Sequence, residues 1–159
     1  MKKNDKGFSL IELLIVVAII LIIAAIAIPN LLKSKMAANQ ASAVASLRTF
    51  NTSEATYSST YNVGYSSTLA QLGPPASGNA TSSAAGLVDS VLAAGSKSGY
   101  TFTMTASAAV NGSTPGYTFT AVPVSVGTTG QNFYFTDETN VIRQNTSATA
   151  TASDSPIGG

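Results

Sequence analysis

The hydrophobic and polar positions divide this chain into two unlike parts. Residues 8–28 are apolar at every position except Ser9 and Glu12, whereas the rest of the chain is rich in Ser, Thr, Ala and Gly. A helix rises 1.5 Å per residue, so the apolar run would extend roughly 30 Å, about the thickness of the hydrocarbon core of a bilayer. The pattern predicts a membrane-spanning helix close to the N-terminus.

The basic residues around this run predict its orientation. Lys2, Lys3 and Lys6 precede the run, and Lys33 and Lys35 follow it. Because lysines beside a span are retained on the cytoplasmic side, the larger N-terminal group predicts a cytoplasmic N-terminus and a polar part outside the cytoplasm. Two alternatives stay open here. One is a plain signal anchor, and the other is a secretory signal peptide cleaved among the small residues at 24–27, for which the run is unusually long.

The segment after the run has the spacing of an amphipathic helix. Apolar side chains recur three or four positions apart, with Glu54 in one slot, at Ala43, Leu47, Phe50, Tyr57 and Tyr61. Residues at this spacing share one face of a helix, so the helix is predicted to continue from the span to about residue 61. Pro29 either bends this helix, because proline lacks a backbone donor and crowds the preceding turn, or ends the span.

Farther along, apolar residues alternate with threonine or other polar residues. Four segments are involved, in two pairs: 100–106 with 117–121, and 132–136 with 141–144. Alternation predicts strands with one buried face. We therefore expect an α+β fold in which the long N-terminal α-helix packs on a small antiparallel β-sheet of three or four strands. A surface loop is expected at 64–86 and a short helix at 87–94.

Composition limits the chemistry that the chain can support. It contains no cysteine and no histidine, and its formal net charge is +1. A disulfide framework, a thiolate metal site, the commonest general base and a basic patch for nucleic acid are therefore all missing. We expect no enzyme activity, no cofactor and no nucleic-acid partner. Asp137 and Glu138 offer too few oxygens for a calcium shell, so they are interpreted as a charged hairpin turn.

Glu12 is the charged residue within the apolar run. A carboxylate inside a membrane span costs up to about 3 kcal/mol and contributes nothing to a simple anchor, so Glu12 is a functional candidate. It lies only four positions into the run, which leaves a plainer alternative. In that alternative its side chain merely extends to the lipid headgroups.

The N-terminal sequence resembles that of the type IV pilins and pseudopilins. The resemblance rests on the run KGFSLIELLIVVAII at residues 6–20 and on Ile28-Pro29-Asn30 after it, and it covers about the first 35 residues. It implies cleavage between Gly7 and Phe8 by a prepilin peptidase, followed by N-methylation of Phe8. It also implies that Glu12 helps to neutralise the new amine of Phe8 on a neighbouring subunit, and it favours a kinked but continuing helix at Pro29.

The same resemblance implies a division of the chain into five parts. They are a cleaved leader at 1–7, a transmembrane and polymerisation helix at 8–28, its amphipathic continuation at 29–62, a globular head at 63–146 and a low-complexity tail at 147–159 with little to bury. The precursor would lie in the inner membrane, with its N-terminus in the cytoplasm and its head outside. It would then enter an extracellular filament of the kind that serves adhesion and motility.

The implied function is that of a structural subunit of a type IV pilus. Such a subunit forms a homopolymer and is drawn from the membrane by an assembly ATPase and platform machinery. A pseudopilin of a type II secretion or DNA-uptake system is the first alternative, and a membrane-anchored adhesive or binding module is the second. Many major pilins close a C-terminal loop with a disulfide, and this chain departs from them because it has no cysteine.

Overall fold

The computed structural model describes residues 8–158. Within them lie three helices, α1 (Leu10–Tyr61), α2 (Leu69–Leu72) and α3 (Ser90–Ala93). Six strands follow: β1 (Ser96–Lys97), β2 (Tyr100–Ala106), β3 (Tyr117–Pro123), β4 (Phe133–Asp137), β5 (Arg143–Asn145) and β6 (Ser155–Pro156). The predicted α+β class, with a long N-terminal helix and an antiparallel sheet, is confirmed.

Helix α1 is 52 residues long and contains Pro29 in its interior. A proline removes one donor from the ladder of helical hydrogen bonds, and the turns on either side continue here without it. Helix α1 therefore continues through Pro29, as the resemblance implied. The chain divides into two compact units, Met1–Lys35 and Met36–Gly159, called here the N-terminal unit and the head unit.

The predicted amphipathic stripe of α1 is confirmed in the head unit. The buried residues of α1 are Ala43, Ser46, Leu47, Phe50, Asn51, Ser53, Glu54 and Tyr57. Phe50 is central to this face, because its ring stacks on Phe119 with centroids 4.5 Å apart and meets the edge of Phe102 at 5.6 Å. The aromatic contacts join the helix to β2 and β3.

The sheet is a simple antiparallel meander in the order β1-β2-β3-β4-β5-β6. Its longest pairing joins β2 to β3, with Tyr100 opposite Pro123 and Ala106 opposite Tyr117. The expectation of three or four strands was too low, because β1 and β6 have two residues each and offer no alternation for a sequence pattern to detect. The last predicted strand, 141–144, is also displaced slightly and is observed as β5.

The connection between α1 and the sheet is more structured than a surface loop. It contains α2, and α3 occupies only part of the predicted helix at 87–94. Leu87 and Val88 donate their backbone N–H groups to the carbonyl of Leu72 instead of entering a helix. Asp89 then caps α3 by accepting the N–H of Leu92 at 2.8 Å, which fixes the start of that helix at Ser90.

The segment predicted to be a tail with little to bury is exposed at most of its described positions, but it also forms a short strand. Strand β6 pairs with β5, and Ala150 is only 1% exposed. Polar contacts hold this segment in place. The Asp154 carboxylate accepts the Asn145 side-chain amide at 2.8 Å and the Thr151 N–H at 2.7 Å. Side chain to backbone bonding of this kind leaves little signal in a Ser/Thr-rich sequence, so the pairing of β5 with β6 was not predicted.

Candidate assembly segment at the N-terminus

The start of α1 is organised by two polar residues inside the apolar run. The carbonyl of Ser9 accepts the N–H of Leu13 at 3.3 Å, so Ser9 stands at the cap position of the helix. Its own N–H donates to the Oε2 atom of Glu12 at 2.9 Å. This is the glutamate half of a capping box, in which the third helical residue returns to satisfy the cap residue's free donor.

The capping contact gives Glu12 a role within its own subunit. The first N–H groups of a helix have no helical partners, and a negative side chain in the first turn also interacts favourably with the helix dipole. The Oε1 atom of Glu12 makes no hydrogen bond to any residue from 8 to 158. One carboxylate oxygen thus fixes the helix start and the other is available to a second donor.

The rest of the N-terminal unit presents apolar side chains on all sides. Every residue from 8 to 35 is exposed except Ala24, which is half-buried. By length and composition α1 contains one stretch able to cross a membrane, and none of that stretch is buried inside the structure. A helix that is hydrophobic all round requires an apolar environment, either lipid or other helices. The geometry therefore fits membrane insertion and lateral packing with equal ease.

The predicted site residues are distributed along this segment. Phe8 lies immediately before α1 and is 85% exposed, while Gly7 lies outside the described residues. Pro29 is in the interior of α1. Just beyond it, the Ser34 hydroxyl donates to the carbonyl of Asn30, four residues earlier, at 3.0 Å. Ser9 and Glu12 are brought together, whereas Pro29 lies well along the same helix from both.

A second carboxylate, Glu54, was noted in the sequence only as an interruption of the apolar stripe. It is fully buried, and it accepts the N–H of Ser66 at 2.9 Å and the Ser66 hydroxyl at 2.6 Å. Burial raises the pKa of Glu54, and the two bonds from Ser66 oppose that rise. Glu54 therefore connects α1 to the segment that follows it. Its place among apolar residues spaced three or four apart was the sequence feature that could have predicted its burial.

The acidic segment between β4 and β5 forms a hydrogen-bonded turn. The Asp137 carboxylate accepts the N–H of Thr139 at 3.0 Å, and Asn140 has a positive φ of 62°. An Asx turn of this kind explains why Asp and Asn occupy these positions. Between residues 8 and 158 there is no group of three or more acidic, histidine or cysteine side chains that would hold a metal ion.

The comparisons with known proteins concern mainly the N-terminal segment. Residues 2–28 match the family described as the prokaryotic N-terminal methylation motif. Over 37 residues the chain is 65% identical to the type IV wide pilus major component PilA4 of Thermus thermophilus, which covers 23% of this chain and 28% of that protein. Over 54 residues it is 46% identical to the type IV major pilin protein PilA of Myxococcus xanthus, which covers 34% and 24%.

The chain spans about a quarter of the length of these curated relatives. No solved structure matches it. The matched motif contains the Ser9 to Glu12 turn and the apolar run that α1 exposes. Over this N-terminal segment the chain therefore carries the methylation motif and is similar to two type IV pilins.

Proposed function

We propose that this protein is a structural subunit of a type IV pilus, held in the inner membrane before assembly and polymerised through the N-terminal half of α1. The observation that carries the proposal is the fully exposed apolar stretch of that helix, which begins at a charged turn within the matched methylation motif. The two relatives are named as a wide pilus major component and a major pilin, which favours a pilus over a pseudopilin.

The first proposed step is removal of the leader at 1–7. Cleavage between Gly7 and Phe8 by a prepilin peptidase would create a new amine on Phe8, which would then be methylated. Support comes from the motif match and from the position of Phe8, which is 85% exposed directly before the first turn of α1. A residue in that position is accessible to an enzyme at the membrane surface.

The second proposed step uses Glu12 to set the stagger between subunits. The new ammonium of Phe8 and the carboxylate of Glu12 are each costly alone in a water-poor bundle of helices, and pairing them between neighbours reduces both costs. The capping bond occupies one oxygen of Glu12, so the other oxygen can receive the neighbour's ammonium. The helix start and the intersubunit contact would then share one side chain.

Pro29 is proposed to permit a bend between membrane packing and filament packing. The ring removes one hydrogen bond from the interior of a helix that otherwise continues to Tyr61. A missing bond lowers the cost of bending at that place. The flanking residues Ile28 and Leu31 are exposed, so a change in direction there would not disrupt a core.

The proposed route places the N-terminus in the cytoplasm and the head outside, in the inner membrane. An assembly ATPase and its platform machinery would then draw the subunit into a homopolymer that extends from the cell. The subunit itself would carry no catalytic residue and no cofactor. Packing between the apolar surfaces of neighbouring α1 helices and the Glu12 pairing would hold the assembled filament together.

The test is mass spectrometry of appendages sheared from cells. We expect this chain to be their bulk component and to begin with N-methylated Phe8. If the processed chain is found only in membranes while the sheared fraction lacks it, a pseudopilin takes the place of the pilus subunit. If the chain keeps its first seven residues and forms no polymer, the membrane-anchored binding module is the correct function.

A further inference from the structure

Charged side chains are scarce in the head unit, and most of them are engaged within it. Lys97 pairs with Asp89 at 3.1 Å. Arg143 donates to the carbonyl of Asp154 at 2.9 Å, and Glu54 is bound to Ser66. Two features are left over, Arg48 on α1 and the acidic turn that contains Glu138.

Arg48 is exposed at the centre of a lightly charged surface. Its guanidinium makes no hydrogen bond or ion pair with any residue in the described part of the chain. Three surface grooves meet at this side chain. One of about 380 Å³ lies toward Leu87, one of about 280 Å³ lies toward Ile142 and Ile157, and one of about 480 Å³ lies beside Asn140.

The helix face around Arg48 is less polar than its threonines suggest. Thr49, Thr52 and Thr56 each donate their hydroxyl to the backbone carbonyl four residues earlier, at 2.9 to 3.1 Å. Their hydroxyls are thereby satisfied within the helix, which leaves their methyl groups for contact with a partner. Arg48, Thr49, Thr52, Ala55 and Thr56 are named here the Arg48 face.

Glu138 has the complementary properties. It is exposed in the turn after β4, and its carboxylate makes no hydrogen bond or ion pair with another described residue. Its neighbour Asp137 is held by Thr139, so the turn is a fixed projection that carries negative charge. Arg48 and Glu138 do not pair within one chain.

We infer that the Arg48 face of one copy of this chain receives the Glu138 turn of a neighbouring copy. The inference rests on the proposed pilus function and adds a second contact to it, between head units. When one patch of a subunit binds a different patch of the next, the contact repeats, and an open helical filament results where the rotation between subunits does not close a ring. The opposite charges fix the register of that contact, and the satisfied threonines allow close approach.

Cross-linking tests the contact directly, because the chain has no cysteine of its own. Arg48→Cys and Glu138→Cys are made in separate copies of the full chain and expressed together, so that any mixed cross-link joins two molecules. Filaments are treated with a short bifunctional maleimide, since a disulfide requires β-carbons closer than an arginine–glutamate pair allows. We expect the mixed product in sheared filaments, identified by mass spectrometry of the joined peptides.

Matched controls use other cations of the chain. Lys97→Cys replaces a lysine already paired with Asp89, and Lys35→Cys replaces one in the N-terminal unit. Neither should give a mixed product with Glu138→Cys above background. A product at position 97 or 35 in place of position 48 would overturn the inference.

Charge reversal supplies an independent readout. Arg48→Glu should lower the yield of sheared filaments at least about tenfold, because like charges opposed across an interface repel strongly. Combining Arg48→Glu with Glu138→Arg should restore most of the yield. Wild-type filaments that form normally while Arg48→Glu has no effect would remove this contact and leave the pilus function intact. A wild-type chain that forms no filaments would instead remove the pilus function and, with it, this contact.

Discussion

The two units of this chain use apolar side chains in opposite ways. In the N-terminal unit the apolar residues of α1 are exposed around the whole helix, whereas in the head unit Leu47 and Phe50 of the same helix are completely buried. Contiguous exposed apolar surface of this extent is rare in a soluble monomer and marks an interaction surface or a membrane segment. One helix therefore carries two kinds of interface. The head unit completes one of them by its own folding, and lipid or other subunits are expected to complete the other.

The largest effect is expected from removing the charge of Glu12, a residue that a simple membrane anchor would not need. Glu12→Gln should abolish filaments while membrane insertion and chain abundance stay unchanged, because the amide cannot neutralise the ammonium of Phe8 on a neighbouring subunit. The measurement is the yield of sheared fibres beside the amount of chain in membranes. Asp89→Asn, which also removes one carboxylate but keeps a residue able to cap α3, is the control and should retain far more filament. Normal yield from Glu12→Gln would remove the pairing.

The next largest effect sharpens the contrast between buried and exposed apolar residues. Phe50→Ala should lower the free energy of unfolding of the head unit by about 3 to 5 kcal/mol, because it leaves a cavity against Phe102 and Phe119. Ile20→Ala, at an exposed position of α1, should leave it unchanged. Both are measured by thermal unfolding of the detergent-solubilised chain, followed by tyrosine fluorescence. Equal destabilisation by the two changes would contradict the division into units.

A smaller effect concerns the buried carboxylate of the head unit. Glu54→Ala should cost about 1 to 3 kcal/mol, because the N–H and hydroxyl of Ser66 lose their acceptors in a buried place. Urea unfolding at neutral pH measures this loss. Ser59→Ala, which removes an exposed hydroxyl from the same helix, serves as the control and should be nearly neutral.

The pH dependence of this group has a defined sign. Because burial raises the pKa of Glu54 above its ordinary value of 4.5, the folded head binds this proton more tightly than the unfolded chain does. The stabilisation that comes from binding this proton is therefore complete below that ordinary value and is lost as the pH rises through the higher folded pKa. Glu54→Gln should flatten this part of the stability profile. Unchanged slopes in the two proteins would show that the group does not titrate in this window.

The smallest effect is local and concerns the C-terminal closure. Asp154→Asn should speed hydrogen exchange of the Ile157 amide, which bonds to the carbonyl of Ile142, and leave the amides of β3 unchanged. Backbone and side-chain bonds from Thr151 hold the pKa of Asp154 below its ordinary value, so the closure is complete above that value. It is lost as the pH falls through the folded pKa. Hydrogen exchange that is equally slow in both proteins would show that other contacts close this segment.

Much of the fold was accessible to sequence reasoning because two periodicities are strong. The repeat through Leu47, Phe50 and Tyr57 predicted the buried face of α1, and the alternation around Phe102 and Phe119 predicted β2 and β3. Strands β1 and β6 escaped detection because two residues carry no period. Their pairing depends on contacts made after the chain has folded, such as that between Asn145 and Asp154.

Some residues of the candidate site were predicted from the sequence and some of its contacts were missed. Phe8, Glu12 and Pro29 were predicted as site residues from one continuous motif, which is visible in a linear sequence. The capping bond between Ser9 and Glu12 was overlooked although a serine three residues before a glutamate is its known pattern. Arg48 and Glu138 belong to no motif and lie far apart in the sequence, so only the structure shows that neither side chain forms an ion pair with another residue between 8 and 158.

The hydrogen bonds that hold the C-terminal segment have a consequence for how the head unit reaches its folded state. Asn145, Thr151 and Asp154 join the ends of this loop by hydrogen bonds alone. Such bonds form as quickly as the chain folds and need neither an oxidant nor a thiol-exchange catalyst. The head unit should therefore reach its final state under reducing and oxidising conditions alike.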